Sequence, residues 1–153
     1  MSLLAVSDHM QMALEEAQAA GERGEVPIGA VITDGRGTVL SRQGNRTREL
    51  SDPTAHAEIL AIREACKLVG AQRIDSADLY VTLEPCAMCA GAISFARIRR
   101  LYFGATDPKG GAVESGPMLF SQPTCHHAPE IYGGMADQQS AKLLRDFFRA
   151  RRG

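Results

Sequence analysis

The sequence predicts an α/β fold in which helices cover a sheet that is part antiparallel and part parallel. Three observations predict it. The runs "VPIGAVIT" and "TVLSRQ" flank the turn "DGRG", the pattern of a β-hairpin. Further along, apolar strand-like runs alternate with segments of helical periodicity. Finally, "ADLYVTL" and "IRRLYFGA" are separated by one helical stretch, which suits a right-handed crossover between parallel strands.

Taken in order, the first helix spans about Asp8 to Ala20 and stops at Gly21. The hairpin follows. The segment "SDPTAHAEILAIREACKLVG" opens with Ser, Asp, Pro and Thr, residues that favour a helix start, and closes at Gly70. Its apolar residues Ile59, Ile62, Cys66 and Val69 recur at helical spacing, which predicts that they form the buried face. "ADLYVTL" reads as a buried strand, and "PCAMCAGAISFA" as a helix with Pro85 at or just before its first turn. "IRRLYFGA" is the next strand. Thr106 to about Gly134 is a long Gly- and Pro-containing stretch with room for a short strand or helix. The final helix runs from about Asp137 to Arg151, with Leu143, Leu144, Phe147 and Phe148 as its apolar face.

The chain has 153 residues, and no linker or repeat divides it, so residues 1–153 are expected to form one domain. Apolar residues make up 44% and charged residues 23%, the balance of a soluble globular protein. No window approaches the roughly 20 apolar residues of a membrane span, and "MSLLAVSDHM" lacks the basic flank of a signal peptide. A cytoplasmic protein with no membrane partner is expected. In that compartment Cys66, Cys86, Cys89 and Cys125 serve metals or cores more often than disulfides. The net charge of −1 argues against a global attraction to nucleic acid, but the closing segment "KLLRDFFRARRG" holds Lys142, Arg145, Arg149, Arg151 and Arg152 against Asp146 alone. Such an end can hold phosphates, or it can simply be a solvated helix terminus.

Chemistry concentrates in "TAHAE" and "EPCAMC". Cys86 and Cys89, three apart in the first turn of a helix, would place both sulfurs on one side, where the helix dipole favours thiolates. His56 lies in the first turn of its own helix. One histidine and two cysteines suit zinc. No fourth ligand stands near the cysteines; Cys125, His126, His127 and His9 are the remaining candidates. Three ligands with an open position describe a catalytic zinc, which activates water. Glu58, two residues past His56, is placed to move the proton. The alternatives are a redox CxxC or small core residues for the cysteines, a core role for Cys66, and loop chemistry for "CHH". Glu84 is either a surface charge or a neighbour of the site.

The order H-x-E then P-C-x-x-C resembles the zinc deaminase signature. Around it, "EVPIGAVI", "GNR", "DPTAHAEI", "LYVTLEPCAMCAGAI", "FGATDPKGGA" and "DFFRARR" resemble successive blocks of the bacterial tRNA-specific adenosine deaminases, across nearly the whole chain. That resemblance implies a three-layer α/β/α, cytidine deaminase-like fold with a central mixed five-stranded sheet. It also implies conversion of wobble adenosine to inosine in a tRNA anticodon loop, usually of an arginine tRNA. Carried over by position, His56, Cys86 and Cys89 hold one zinc ion per subunit and Glu58 shuttles protons. Asn45 would read the base and Ile28 would wall the pocket. Asp107, Lys109, Phe148 and Arg149 would line the anticodon-loop groove. A homodimer is implied, with the helix at Cys86 near the interface. The stretch from Val113 to Gly134 departs from the family form in length and detail.

Two other readings stay open on sequence. A free nucleobase or nucleoside deaminase acting on guanine, cytosine or cytidine would share the metal site, though it has no evident use for "DFFRARR" or "TDPKGG". A zinc module that binds RNA without catalysis would need a fourth protein ligand and would leave Glu58 without a role.

Overall fold

The computed structural model describes residues 3–152, and the side chains of residues 7–151. The side chain of Arg152 and the first residues of "MSLLAVSDHM" therefore lie outside the described residues. In chain order the elements are α1 (Leu3–Glu22), β1 (Gly29–Thr33), β2 (Val39–Gly44), α2 (Ala57–Val69), β3 (Asp78–Leu83), α3 (Ala87–Ala96), β4 (Arg100–Ala105), β5 (Glu130–Tyr132) and α4 (Asp137–Arg152). A 3₁₀ turn at Leu119–Ser121 interrupts the long connection before β5.

The sheet has the order β2-β1-β3-β4-β5. β1 pairs antiparallel with both β2 and β3, whereas β3–β4 and β4–β5 are parallel. The hairpin and the parallel pair across one helix are thus as the sequence predicts. Alternation along the strands sorts the core into two layers. Ala30, Ile32, Leu79, Val81, Leu101 and Phe103 face α2 and α3. Val31, Tyr80 and Tyr102 face the other way, toward Met10 and Ala13 of α1. Since α4 packs beside α1 on β3 and β4, the architecture is the expected three-layer α/β/α sandwich on a mixed five-stranded sheet.

The structure corrects four local expectations. α1 begins at Leu3 and runs through Gly21 to Glu22. α2 begins at Ala57, not among the capping residues, because Asp52 closes a turn on Thr54 and so folds "SDPT" into the approach to the helix. Its buried face is Ala57, Glu58, Ala61 and Ala65. Ile62 and Cys66 are only partly buried and Val69 is exposed, because small side chains let the helix backbone come close to the sheet. On α4, Phe148 is 45% exposed and does not belong to a buried face.

α1 reaches the sheet the same way. Gly29 and Gly44 are register partners, and a Cβ at Gly29 would lie 2.0 Å from the Ala13 carbonyl oxygen. At Gly44 it would lie 2.8 Å from the Glu16 carbonyl oxygen. The glycine pair forms a floor on which Ala13, Ala17 and Ala20 rest fully buried. Gly29→Ala is expected to lower stability by about 3 kcal/mol or more, since both contacts are to backbone and neither can yield cheaply. Urea unfolding reads this directly; an unchanged midpoint would mean that α1 does not rest on that strand.

Candidate active site

α2 and α3 both start beside the end of β3. His56 is the N-cap of α2 and Cys86 the N-cap of α3, each in extended backbone geometry. Both therefore stand one position ahead of the helical first turn that the sequence predicts. Neither uses its side chain to cap its helix. An N-cap side chain normally bonds the helix's first free N–H groups; here both side chains are turned to each other instead. His56 Nδ1 lies 3.7 Å from Cys86 Sγ and 3.5 Å from Cys89 Sγ. The ligand atoms of all three residues fall within 4.8 Å of one another. This trio is the only such cluster of His, Cys, Asp or Glu among the described residues.

The free helix N-terminus of α2 finds its partner elsewhere. Asn45 Oδ1 accepts a hydrogen bond from the Ala57 N–H at 2.8 Å, across 12 positions of sequence. Asn45 is itself buried, its N–H donates to the Ile28 carbonyl at 3.2 Å, and its carbonyl accepts from Arg23. The acceptor of the Asn45 amide is thus engaged, which turns its NH₂ group into the part free for another molecule.

The electrostatics separate the two cysteines. The Cys86 thiol is lowered to about 4, chiefly by the hydrogen bond from Cys89; its own burial opposes the shift, and His56 assists it. The Cys89 thiol is raised by that same bond and by burial. His56 is raised, first by its bond to Cys86 and then by the nearby Glu58 charge, against its burial. Glu58 is raised by burial above all, with the Cys86 charge adding to it. Its Oε1 is buried without a hydrogen-bond partner.

These observations fit a metal ion. Two sulfurs and an imidazole nitrogen converge, and a buried carboxylate oxygen beside them has nothing else to bond. No fourth side chain joins the cluster among the described residues. Cys125 donates to the His127 carbonyl and lies 3.6 Å from Ser94 Oγ, while His127 Nε2 is 2.7 Å from the Ile98 carbonyl. They tie the loop before β5 to the far end of α3. His9 packs against Tyr80 with ring centroids 5.1 Å apart, in the layer of α1.

Of the remaining predicted residues, Ile28 and Asn45 adjoin the start of α2 through the bonds above. The Asp107 N–H donates to Glu84 at 2.9 Å, which brings its loop beside Pro85 and Cys86. Asp107 Oδ1 also accepts from the N–H groups of Lys109 and Gly110, so one oxygen holds the loop itself. Lys109 is exposed. Phe148 and Arg149 are exposed on α4, and the structure does not bring their side chains to the cluster. Sequence reasoning missed the capping role of Asn45 and the role of Glu84. For the latter, the only hint was a charged residue directly before the Pro-Cys step.

The family model for the cytidine and deoxycytidylate deaminase zinc-binding region matches residues 5–105. A tRNA-specific adenosine deaminase of Agrobacterium fabrum is 68% identical over 144 residues, covering 94% of this chain and 93% of its own length. A solved structure from work on A-to-I editing by tRNA:A34 deaminases at the wobble position of transfer RNA superposes with a TM-score of 0.88. Its identity is 66%, over 90% of this chain and 99% of that one. The guanine deaminase of Bacillus subtilis has a TM-score of 0.66 at 30% identity, over 99% of this chain and 94% of that one.

Asn45→Ala is expected to cost about 1–2 kcal/mol of stability through the lost helix cap, and Asn45→Asp, which keeps an acceptor, to recover most of it. Thermal unfolding of the three proteins checks this; equal midpoints would mean that the bond to Ala57 is dispensable.

Proposed function

The chain belongs to the tRNA-specific adenosine deaminase family, and on that premise we propose that it hydrolyses adenosine to inosine, with release of ammonia, at the wobble position of a tRNA anticodon. An arginine tRNA is the proposed substrate, met in the cytoplasm by a single domain spanning residues 1–153. The observation that carries this reading is a buried carboxylate with a free oxygen beside a His/Cys/Cys cluster, in a chain 68% identical to a tRNA-specific adenosine deaminase.

Zinc is the cofactor of this family's domain, and His56, Cys86 and Cys89 are the side chains we assign to hold one ion per subunit. Bound there, zinc supplies Lewis-acid activation of water for attack on the base. The protein's part is to place the base and move the protons. Glu58, shielded from bulk water, accepts a proton from the attacking water and delivers it to N1 of the purine; it then takes the proton of the new C6 hydroxyl and passes it to the amine, so that ammonia departs as the C6 carbonyl forms. Asn45, its oxygen held by α2, offers its NH₂ to a ring acceptor of the purine. Ile28 walls that side of the pocket. A base in a loop leaves its stack at less cost than one in a duplex, which suits an anticodon.

Asp107 and Lys109, on the loop beside Cys86, and Phe148 and Arg149, on α4, are assigned to the anticodon-loop groove. Exposed aromatic and guanidinium groups are suited to stacking on bases and to phosphates. We also propose a homodimer through α3, on which Met88 and Phe95 are exposed, Phe95 to 75%. Of the described residues, no helix is long and apolar enough to cross a membrane.

The deciding experiment offers purified protein an anticodon stem-loop bearing wobble adenosine, alongside free adenosine, guanine and cytidine. Inosine in the stem-loop supports the reading. Ammonia from guanine or cytidine alone would move the chain to the free nucleobase or nucleoside deaminases. Glu58→Ala is expected to keep its zinc and its fold while losing at least about 10²-fold in turnover; near-normal turnover would remove Glu58 from the mechanism. Arg149→Ala is expected to weaken stem-loop binding and to reduce the slope of log affinity against log salt by about 0.7, the share of one phosphate contact on a single strand. An unchanged slope would leave Arg149 as a solvated charge.

A further inference from the structure

We propose that Glu84 is a positioning residue for RNA: its buried carboxylate folds the 107–115 loop into the shape that receives the anticodon loop, without taking part in the reaction. This rests on the RNA-editing reading above. Glu84 is 2% exposed. Its Oε1 accepts from the Asp107 N–H at 2.9 Å and from Ser115 Oγ at 2.9 Å. Its Oε2 accepts from the N–H groups of Val113 at 3.0 Å, Glu114 at 2.9 Å and Ser115 at 2.9 Å. Five donors saturate a carboxylate, which has about four lone-pair sites. No oxygen is left to serve a substrate or a metal, so Glu84 can act only through what it holds.

What it holds is a loop with no strand or helix of its own between β4 and the 3₁₀ turn. The backbone of that loop wraps the carboxylate tightly: a Cβ on Gly111 would lie 2.4 Å from Glu84 Cδ. One further bond, from the Ala112 N–H to the Pro85 carbonyl at 2.9 Å, ties the loop to the residue before Cys86. Asp107 and Lys109 are therefore fixed relative to the metal cluster through the Glu84 side chain and this backbone bond. A second buried glutamate repeats the device in smaller form. Buried Glu25 accepts from the N–H groups of Arg48 at 3.1 Å and Glu49 at 2.8 Å, just after Asn45.

Glu84→Gln tests the inference, because an amide nitrogen would then face N–H donors. Conversion of the stem-loop by the unaltered protein is measured first and stands as the separate test of the RNA-editing reading. If that conversion fails, stem-loop affinity by fluorescence anisotropy still decides the positioning role. In Glu84→Gln we expect one zinc per chain, kcat within about twofold, and KM for the stem-loop raised about tenfold, the pattern of lost uniform binding. Hydrogen exchange at Val113–Ser115 should accelerate. Ser115→Ala removes a single donor and is expected to raise KM a few-fold, about what one hydrogen bond is worth; it decides the matter should Glu84→Gln fail to fold. A fall in kcat at constant KM, loss of zinc, or unaltered KM and affinity in these variants would each overturn the proposal.

Discussion

The site depends on two helices that begin at the same place and give up their own N-cap side chains. His56 and Cys86 are both N-caps, neither makes a side-chain cap hydrogen bond, and their side chains lie against each other. The topology makes this possible. β1 runs antiparallel between β2 and β3, so the chain that leaves β2 re-enters through α2 beside the point where β3 hands over to α3. Two positive helix ends then meet around sulfurs and an imidazole, which favours thiolate character where a cation is to be bound. Asn45 compensates one of the two helices for the cap it lacks.

The Glu58 carboxylate owes its burial to helix register. Glu58 shares the sheet-facing side of α2 with Ala57, Ala61 and Ala65, and these small residues bring the helix backbone close enough to enclose it. An unpartnered oxygen in such a place costs about 1–3 kcal/mol. The fold tolerates that cost because the rest of the layer is apolar and closely packed, from Ile32 and Val81 to Ile93 and Phe103. A more stable arrangement would satisfy the oxygen within the protein and leave it unavailable to a bound molecule.

Much of this was legible in the sequence because the signals are local. The hairpin, the parallel pair across α3 and the residues of the metal cluster all lie in short patterns with a direct physical meaning. The features that were not legible rest on contacts distant in sequence. The face of α2 was assigned to Ile59, Ile62, Cys66 and Val69 because periodicity weighs large residues, whereas close approach to the sheet selects alanine. The cap of α2 comes from Asn45, across the whole connection from β2. The connection from 106 to 134 has little periodicity to read, since its first part is organised by a glutamate more than 20 positions upstream.

The cluster and the segments around it are consequently held by different kinds of structure. Helix starts and strand ends hold the cluster, and their backbone bonds are satisfied by regular geometry. The walls around it are loops, whose amides have no ladder to join and would otherwise be left without partners. A carboxylate answers that need better than an amide or a hydroxyl, because it accepts at every lone pair and has no proton to place. At Glu84 the charge is stabilised by four N–H groups and one hydroxyl, which outweigh the burial that alone would raise its pKa, and the net shift is downward. Glu25 shows the same balance beside Asn45. Loop conformation at both glutamates is thus fixed largely from inside the protein.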